Sequence, residues 1–181
     1  DDAIKLIDDT KKIENPFFMY LAFNAPHDPR QAPEKYLEMY PIENIELPLN
    51  YAPQHPFWKE IGNEPGVRDE ALAPYPRSEY AVKKHIQEYY AVISHLDEQV
   101  GKIINHLEKE DLLENTYVIF TSDHGLAVGQ HGLIGKQSLY DHSIRVPLII
   151  TGPNIKKRSI YNHDVYLRDV VPTTLDLAKI E

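Results

Sequence analysis

The chain has 181 residues, 42% of them apolar and 26% charged, which suits one globular domain or a large piece of a bigger one and excludes a disordered composition. Nineteen basic against 28 acidic side chains give a net charge of −9, so neither nucleic acid nor an anionic membrane surface is expected as main partner. No apolar run approaches the ~18 residues of a bilayer span, and the absence of cysteine excludes disulfides, thiolate metal sites and a cysteine nucleophile.

The chain opens Asp1-Asp2-Ala3 without Met, as an excised fragment would. Ile4, Leu6, Ile7 and Ile13, spaced among charges, predict a helix that Asn15-Pro16 stops. Phe17 to Phe23 is a continuous apolar run of strand length, the pattern of a strand covered on both faces. Asn24 to Pro29 must then be loop. Residues 26–76 hold ten of the fourteen prolines and predict an extended surface excursion, with a short helix near Pro33 to Met39. A stretch of that length without regular structure is usually functional or mobile.

Residues 79–113 carry the strongest helical stripe: Val82, Ile86, Tyr89, Ile93, Leu96, Val100, Ile103 and Leu107. Flanking Tyr90, Ala91 and Ile104 widen it, which favours packing on a sheet over a coiled coil. Gly101 costs such a helix about 1 kcal/mol relative to Ala, and close approach to a sheet would account for it. Thr116 to Thr121 predicts a second buried strand, leading into Ser122-Asp123-His124-Gly125. Val146 to Thr151 predicts a third, and a last helix runs from Pro172 in its first turn to Ile180. Strands alternating with helices indicate an α/β layered sheet, in a single domain over residues 1–181.

In open α/β sheets, ligands gather outside the carboxyl ends of the strands. His27 follows the first predicted strand and Asp123-His124 the second, inside a stretch with four of the eight glycines. Asp123 and His124 can share one metal only if the backbone turns, which Gly125 permits. The competing reading is a loop-capping Asp beside a partly exposed His. Carboxylate plus imidazole suits Zn²⁺, Mn²⁺ or Fe better than Ca²⁺. Lys136, at the far end of the glycine loop, can fold back to hold an anionic oxygen as a point charge, although most lysines are simply solvated. His131 is more easily explained as loop structure. His85, His95 and His106 are expected at the edge of the helix stripe, and His55, His142 and His163 as surface or structural residues. No Gly-x-Ser-x-Gly elbow accompanies the serines, which argues against a hydrolase triad.

As strings, these residues resemble the sulfatase family of the alkaline-phosphatase-like superfamily. The resemblance is carried by Thr121-Ser122-Asp123-His124-Gly125, by Gly129-Gln130-His131-Gly132-Leu133-Ile134-Gly135-Lys136 and by Arg145-Val146-Pro147-Leu148-Ile149-Ile150-Thr151-Gly152-Pro153. Ala25-Pro26-His27, Leu96-Asp97-Glu98-Gln99-Val100-Gly101 and Asp169-Val170-Val171-Pro172-Thr173 support it in order and spacing. It implies a layered α/β fold with a largely parallel central sheet flanked by helices, present as a fragment. It implies that Asp123 and His124 are one pair of ligands of a divalent cation, usually Ca²⁺. Many members carry Asn where this chain has His124; iduronate- and choline-sulfatase-like members carry His. It further implies that Lys136 binds sulfate and leaving-group oxygens, and that His27 binds the sulfate and protonates the leaving alcohol.

The family's nucleophile is a formylglycine made from the first residue of a Cys/Ser-x-Pro-x-Arg motif, and no such motif occurs in this chain. The resemblance therefore places the nucleophile, the other metal carboxylates and further basic residues in a missing N-terminal part, and implies that the chain alone hydrolyses nothing. The expected partners are a small-molecule or saccharide sulfate ester and the remainder of the parent chain, in a periplasmic, secreted or lysosomal setting. Two alternatives stay open: a metal-dependent phosphoesterase or phosphomutase of the same superfamily, and a non-catalytic module that binds sulfated glycans.

Overall fold

The computed structural model describes residues 2–13 and 15–180. The elements follow in the order α1 (Asp2–Thr10), α2 (Glu34–Leu37), α3 (Glu79–Lys109), β1 (Val118–Thr121), α4 (Asp141–Ile144), β2 (Leu148–Thr151) and α5 (Val170–Leu177). Short 3-10 turns at Ile42–Asn44, Glu70–Leu72, Leu113–Asn115 and Leu167–Asp169 lie between them. No helix among the described residues is long and apolar enough to cross a membrane.

The 31-residue α3 is the spine. Ser78 caps it by accepting from the Ala81 N–H at 3.2 Å, satisfying one of the donors that a helix N-terminus leaves open. Val82, Ile86, Ala91, Val92 and Leu107 are its buried positions, so its N-terminal half is covered more completely than its C-terminal half. Gly101 does not mark a close approach: a Cβ there would meet nothing within 4 Å. Helix α1 docks on the far end of α3, with Ile7 buried, His106 Nε2 2.8 Å from Asp8 Oδ1 and Lys11 paired with Glu110. Helix α2 crosses its middle, where Tyr36 stacks on His95 at 4.9 Å and donates its hydroxyl to Glu98 at 2.6 Å.

The proline-rich stretch packs instead of skirting the surface. Ile45 joins Val82, Ile86 and Val128 in one buried cluster, with Tyr40, Leu47, Tyr51, Tyr89 and Leu126 against it. Short 3-10 turns and single side-chain anchors hold it there, because proline leaves few backbone donors for a longer element. Gly129 is where the glycine loop meets α3: its φ is +101° and a Cβ would sit 2.3 Å from Val82 Cγ1, so only glycine fits.

The sheet departs most from expectation. The two strands β1 and β2 pair antiparallel, in the register Val118 with Thr151 through Thr121 with Leu148. The described residues thus form one antiparallel pair where a largely parallel sheet was expected. The predicted strand over Phe17–Phe23 forms no regular element and has no ladder partner among the described residues. Phe18 is 76% and Tyr20 82% exposed. A continuous apolar run encodes burial on two faces, and that burial needs neighbouring strands that the described residues do not supply.

Candidate active site

The chain leaving β1 forms a strap that folds back on itself. Gly125 N–H donates to Ser143 O at 2.8 Å, Ala127 N–H to Gly135 O at 2.8 Å and Gly129 N–H to Leu133 O at 2.8 Å. Gly125 permits the closest of these approaches, since a Cβ there would lie 2.1 Å from the His142 carbonyl oxygen. One end of the strap carries Asp123 and His124; the returning loop carries Lys136.

Lys136 reaches His27. Its Nζ lies 2.8 Å from His27 Nε2, across 109 residues of sequence, and its side chain is only 16% exposed. His27 Nδ1 lies 2.9 Å from the Asp28 carbonyl oxygen, which assigns the ring proton to Nδ1 and leaves the Nε2 lone pair facing the ammonium. Arg68 Nη2 approaches the same nitrogen at 3.3 Å. Two cationic groups and an imidazole therefore converge on one small volume, with the Asp28 carboxylate 3.1 Å from His27 Nδ1 on the far side of the ring.

Asp69 stands behind them. It is buried, with Gln137 Nε2 donating to its Oδ2 at 2.8 Å, Lys136 Nζ 3.6 Å away and Arg68 Nη2 2.5 Å from Oδ1. Burial pushes the Asp69 carboxyl up, yet hydrogen bonds from Gln137 and Arg68 and the charge of Lys136 outweigh that and hold it below its usual range. Its neighbour Glu70 grips the loop backbone, accepting from the N–H groups of Ile134 at 3.2 Å and Gly135 at 3.0 Å. Arg77 pairs with Glu70 and donates to the carbonyls of Glu70 at 2.8 Å and Ala73 at 2.6 Å. Sequence pattern alone does not single out Arg68, Asp69, Glu70 and Arg77; their one signal is an Arg-Asp-Glu run followed by an arginine among prolines.

Asp123 and His124 form their own doublet. The His124 N–H donates to Asp123 Oδ1 at 2.9 Å, and His124 Nε2 lies 3.6 Å from Asp123 Oδ2. His124 Nδ1 is 3.0 Å from the Gly125 carbonyl, which leaves Nε2 as the lone-pair nitrogen. This is how metal-binding imidazoles are commonly oriented. Two donor atoms bound to one cation at about 2.1–2.4 Å lie roughly 3–4 Å apart, so the doublet fits half of a cation's ligand set. Asp123 is open to solvent, its side chain 81% exposed. No side-chain contact joins this doublet to the His27–Lys136 pair among the described residues; the link is the strap's backbone. The one three-donor group among them, Asp8 with His106 and Glu110, lies elsewhere, and there Glu110 already pairs with Lys11.

His55, His131 and His142 pack together with Tyr140. His131, at φ +55°, stacks on Tyr140 with centroids 4.2 Å apart, and the Tyr140 hydroxyl is 2.8 Å from His55 Nε2. Burial, then His131, push His142 from its ordinary 6.5 down to about 4, with Asp141 opposing. Burial and His131 lower buried His55 as well. A depressed histidine is neutral in the fold but takes up a proton when the chain unfolds. The His142 contribution to stability is therefore expected to fall as pH drops from about 6.5 to about 4 and to change no further below that. Melting temperatures measured across this window for the wild type and His142→Asn should show a shallower slope in the variant; equal slopes would rule out His142 as the source.

The layered α/β frame, with polar groups where the chain leaves a strand, is the alkaline-phosphatase-like fold seen in the solved relatives. The sequence profile of the sulfatase family matches residues 1–180, and the chain belongs to that family. It is 36% identical over 166 residues to the iduronate 2-sulfatase of Mus musculus, covering 84% of this chain and 29% of that protein. A sulfatase of Formosa agariphila is 30% identical over 179 residues, with 94% and 34% covered. The solved phosphonate monoester hydrolase of Silicibacter pomeroyi superposes with a TM-score of 0.79 at 25% identity, covering all of this chain and 38% of that one. The chain thus spans about a third of the length of these relatives.

Proposed function

We propose that the chain supplies the sulfate-oxygen seat and one pair of metal ligands to a parent enzyme that cleaves a sulfate ester, of a sulfated saccharide in the first instance. The observation that carries this is the convergence of Lys136 Nζ at 2.8 Å and Arg68 Nη2 at 3.3 Å on His27 Nε2, with Asp69 behind the lysine. Two cationic donors aimed at one imidazole nitrogen, with a single carboxylate, Asp69, behind both, leave an excess of positive charge at that point and form a site for an anionic oxygen. Lys136 would stabilise the charge that builds on the sulfuryl oxygens. His27, once protonated at Nε2, is placed to donate that proton to the departing alkoxide.

A divalent cation held by Asp123, His124 and ligands from outside this chain, Ca²⁺ by family resemblance, would supply Lewis-acid stabilisation of a sulfate oxygen. In the same reading, formylglycine would supply the attacking hydroxyl from the parent chain, since no Cys/Ser-x-Pro-x-Arg motif occurs in these 181 residues. The name iduronate 2-sulfatase supports a saccharide substrate. The phosphonate monoester hydrolase likeness supports a second reading, a phospho- or phosphonoester hydrolase with the same oxygen seat.

Titrating the isotopically labelled chain with sulfate and with methylphosphonate, followed by NMR, tests both. Sulfate is expected to shift His27, Lys136 and Arg68 together, Ca²⁺ to shift Asp123 and His124, and no sulfate ester to be turned over by the chain alone. Unmoved His27 and Lys136 at saturating sulfate would sink the reading, and a response to methylphosphonate alone would favour the second.

A further inference from the structure

We infer that Arg68 reads a second anionic group on the substrate, so that the site prefers saccharides carrying another sulfate or a carboxylate beside the ester being cleaved; this rests on the sulfate seat proposed above. Arg68 differs from Lys136 in exposure. The lysine side chain is 16% exposed and points into the seat, whereas the arginine side chain is 64% exposed at its rim. One guanidinium nitrogen, Nη2, is tethered on two sides, 2.5 Å from Asp69 Oδ1 and 3.3 Å from His27 Nε2. The Nε and Nη1 groups have no acceptor among the described residues. A planar fork held at one corner offers its remaining edge to a carboxylate or sulfate, with part of the ordering already done.

An ordinary surface ion pair is the competing account, and such pairs contribute little. The pairing with Asp69, however, engages Nη2 alone: Gln137 at 2.8 Å and Lys136 at 3.6 Å take the other carboxylate oxygen, Oδ2, so the rest of the Arg68 fork is not drawn into the pair. The chain's net charge of −9 also makes an outward-facing cation beside an anion seat a local exception. The scissile group meets Lys136 and His27 inside; a group on the leaving sugar, further out, is the one Arg68 can reach.

The test compares binding of three sugars to the 181-residue chain by calorimetry. They are glucosamine 6-O-sulfate, glucosamine 2-N,6-O-disulfate and a monosulfated uronic acid. The wild type is expected to bind at least one dianion about tenfold more tightly than the monosulfate, as a charge-assisted fork contact would give. Which dianion gains identifies the group as sulfate or carboxylate. Arg68→Gln should weaken binding generally but bring that ratio close to one, and Arg68→Lys should leave an intermediate ratio. An unchanged denaturant midpoint for both variants keeps folding out of the comparison. A wild-type ratio near one, or a preference that survives Arg68→Gln, overturns the inference while leaving the sulfate seat intact. Failure of all three sugars and of inorganic sulfate to bind overturns the seat itself and the inference with it.

Discussion

Replacing Arg77 by alanine is expected to destabilise the chain by about 3–5 kcal/mol, the range for removing one partner of a buried ion pair. The Arg77 and Glu70 side chains are 0% and 1% exposed, so the carboxylate left behind would face no counter-charge and little water. The backbone loses as well: the guanidinium also bonds the carbonyls of Glu70, Ala73, Pro74 and Gly132. Domains of this size are stable by about 5–15 kcal/mol, so the loss is a large part of the whole. Urea denaturation should show a lower midpoint, and a double variant, Arg77→Met with Glu70→Leu, should recover part of it because neither charge then remains buried alone. A single-variant cost under about 1 kcal/mol would mean that water reaches Glu70 and that the pair is no buried clamp.

Lys136→Ala is expected to lower sulfate affinity by about thirtyfold, the equivalent of roughly 2 kcal/mol for a lost hydrogen bond to a charged group. The fold should tolerate it, because Asp69 keeps Gln137 at 2.8 Å and Glu70 still holds the Ile134 and Gly135 N–H groups. Lys136→Arg should recover only part of the affinity, since the seat is built around a compact ammonium 2.8 Å from His27 Nε2. Calorimetric titration with sulfate, together with an unchanged urea midpoint, checks both statements. Wild-type affinity in Lys136→Ala would remove the lysine from the seat and with it the reading of this rim as a sulfate site. The two expectations are linked: Glu70 holds the loop that carries Lys136, so Arg77→Ala should also blunt the sulfate response in whatever fraction stays folded.

Local pattern was sufficient wherever a residue's role follows from its neighbours in sequence. The apolar stripe from Val82 to Leu107 has helical spacing and becomes α3, ending at Lys109 where the pattern thins. The runs at Val118–Thr121 and Leu148–Thr151 become strands, and the glycines between Gly125 and Gly135 become the strap. His27, Asp123, His124 and Lys136 were candidates because ionisable groups after an apolar run, or at the end of a glycine loop, are poorly explained by packing; the fold brings Lys136 to His27 and leaves Asp123 and His124 as a separate doublet.

Three things were decided only by the tertiary structure. Strand direction was one, because an apolar run has no polarity until it finds a partner, and β1 and β2 meet antiparallel. Burial of Phe17–Phe23 was another: the run specifies two covered faces but not what covers them, and Phe18 and Tyr20 stand exposed. The third was the support of the site. Glu70 lies 64 residues from Ile134, and Asp69 lies 68 residues from Gln137, in a proline-rich stretch with no periodicity to mark them. A charged residue in such a stretch looks solvated until the fold brings its partner. Only three-dimensional closure brings Arg68 and Asp69 to His27 and Lys136, and buries Glu70 and Arg77 against the loop that carries Lys136.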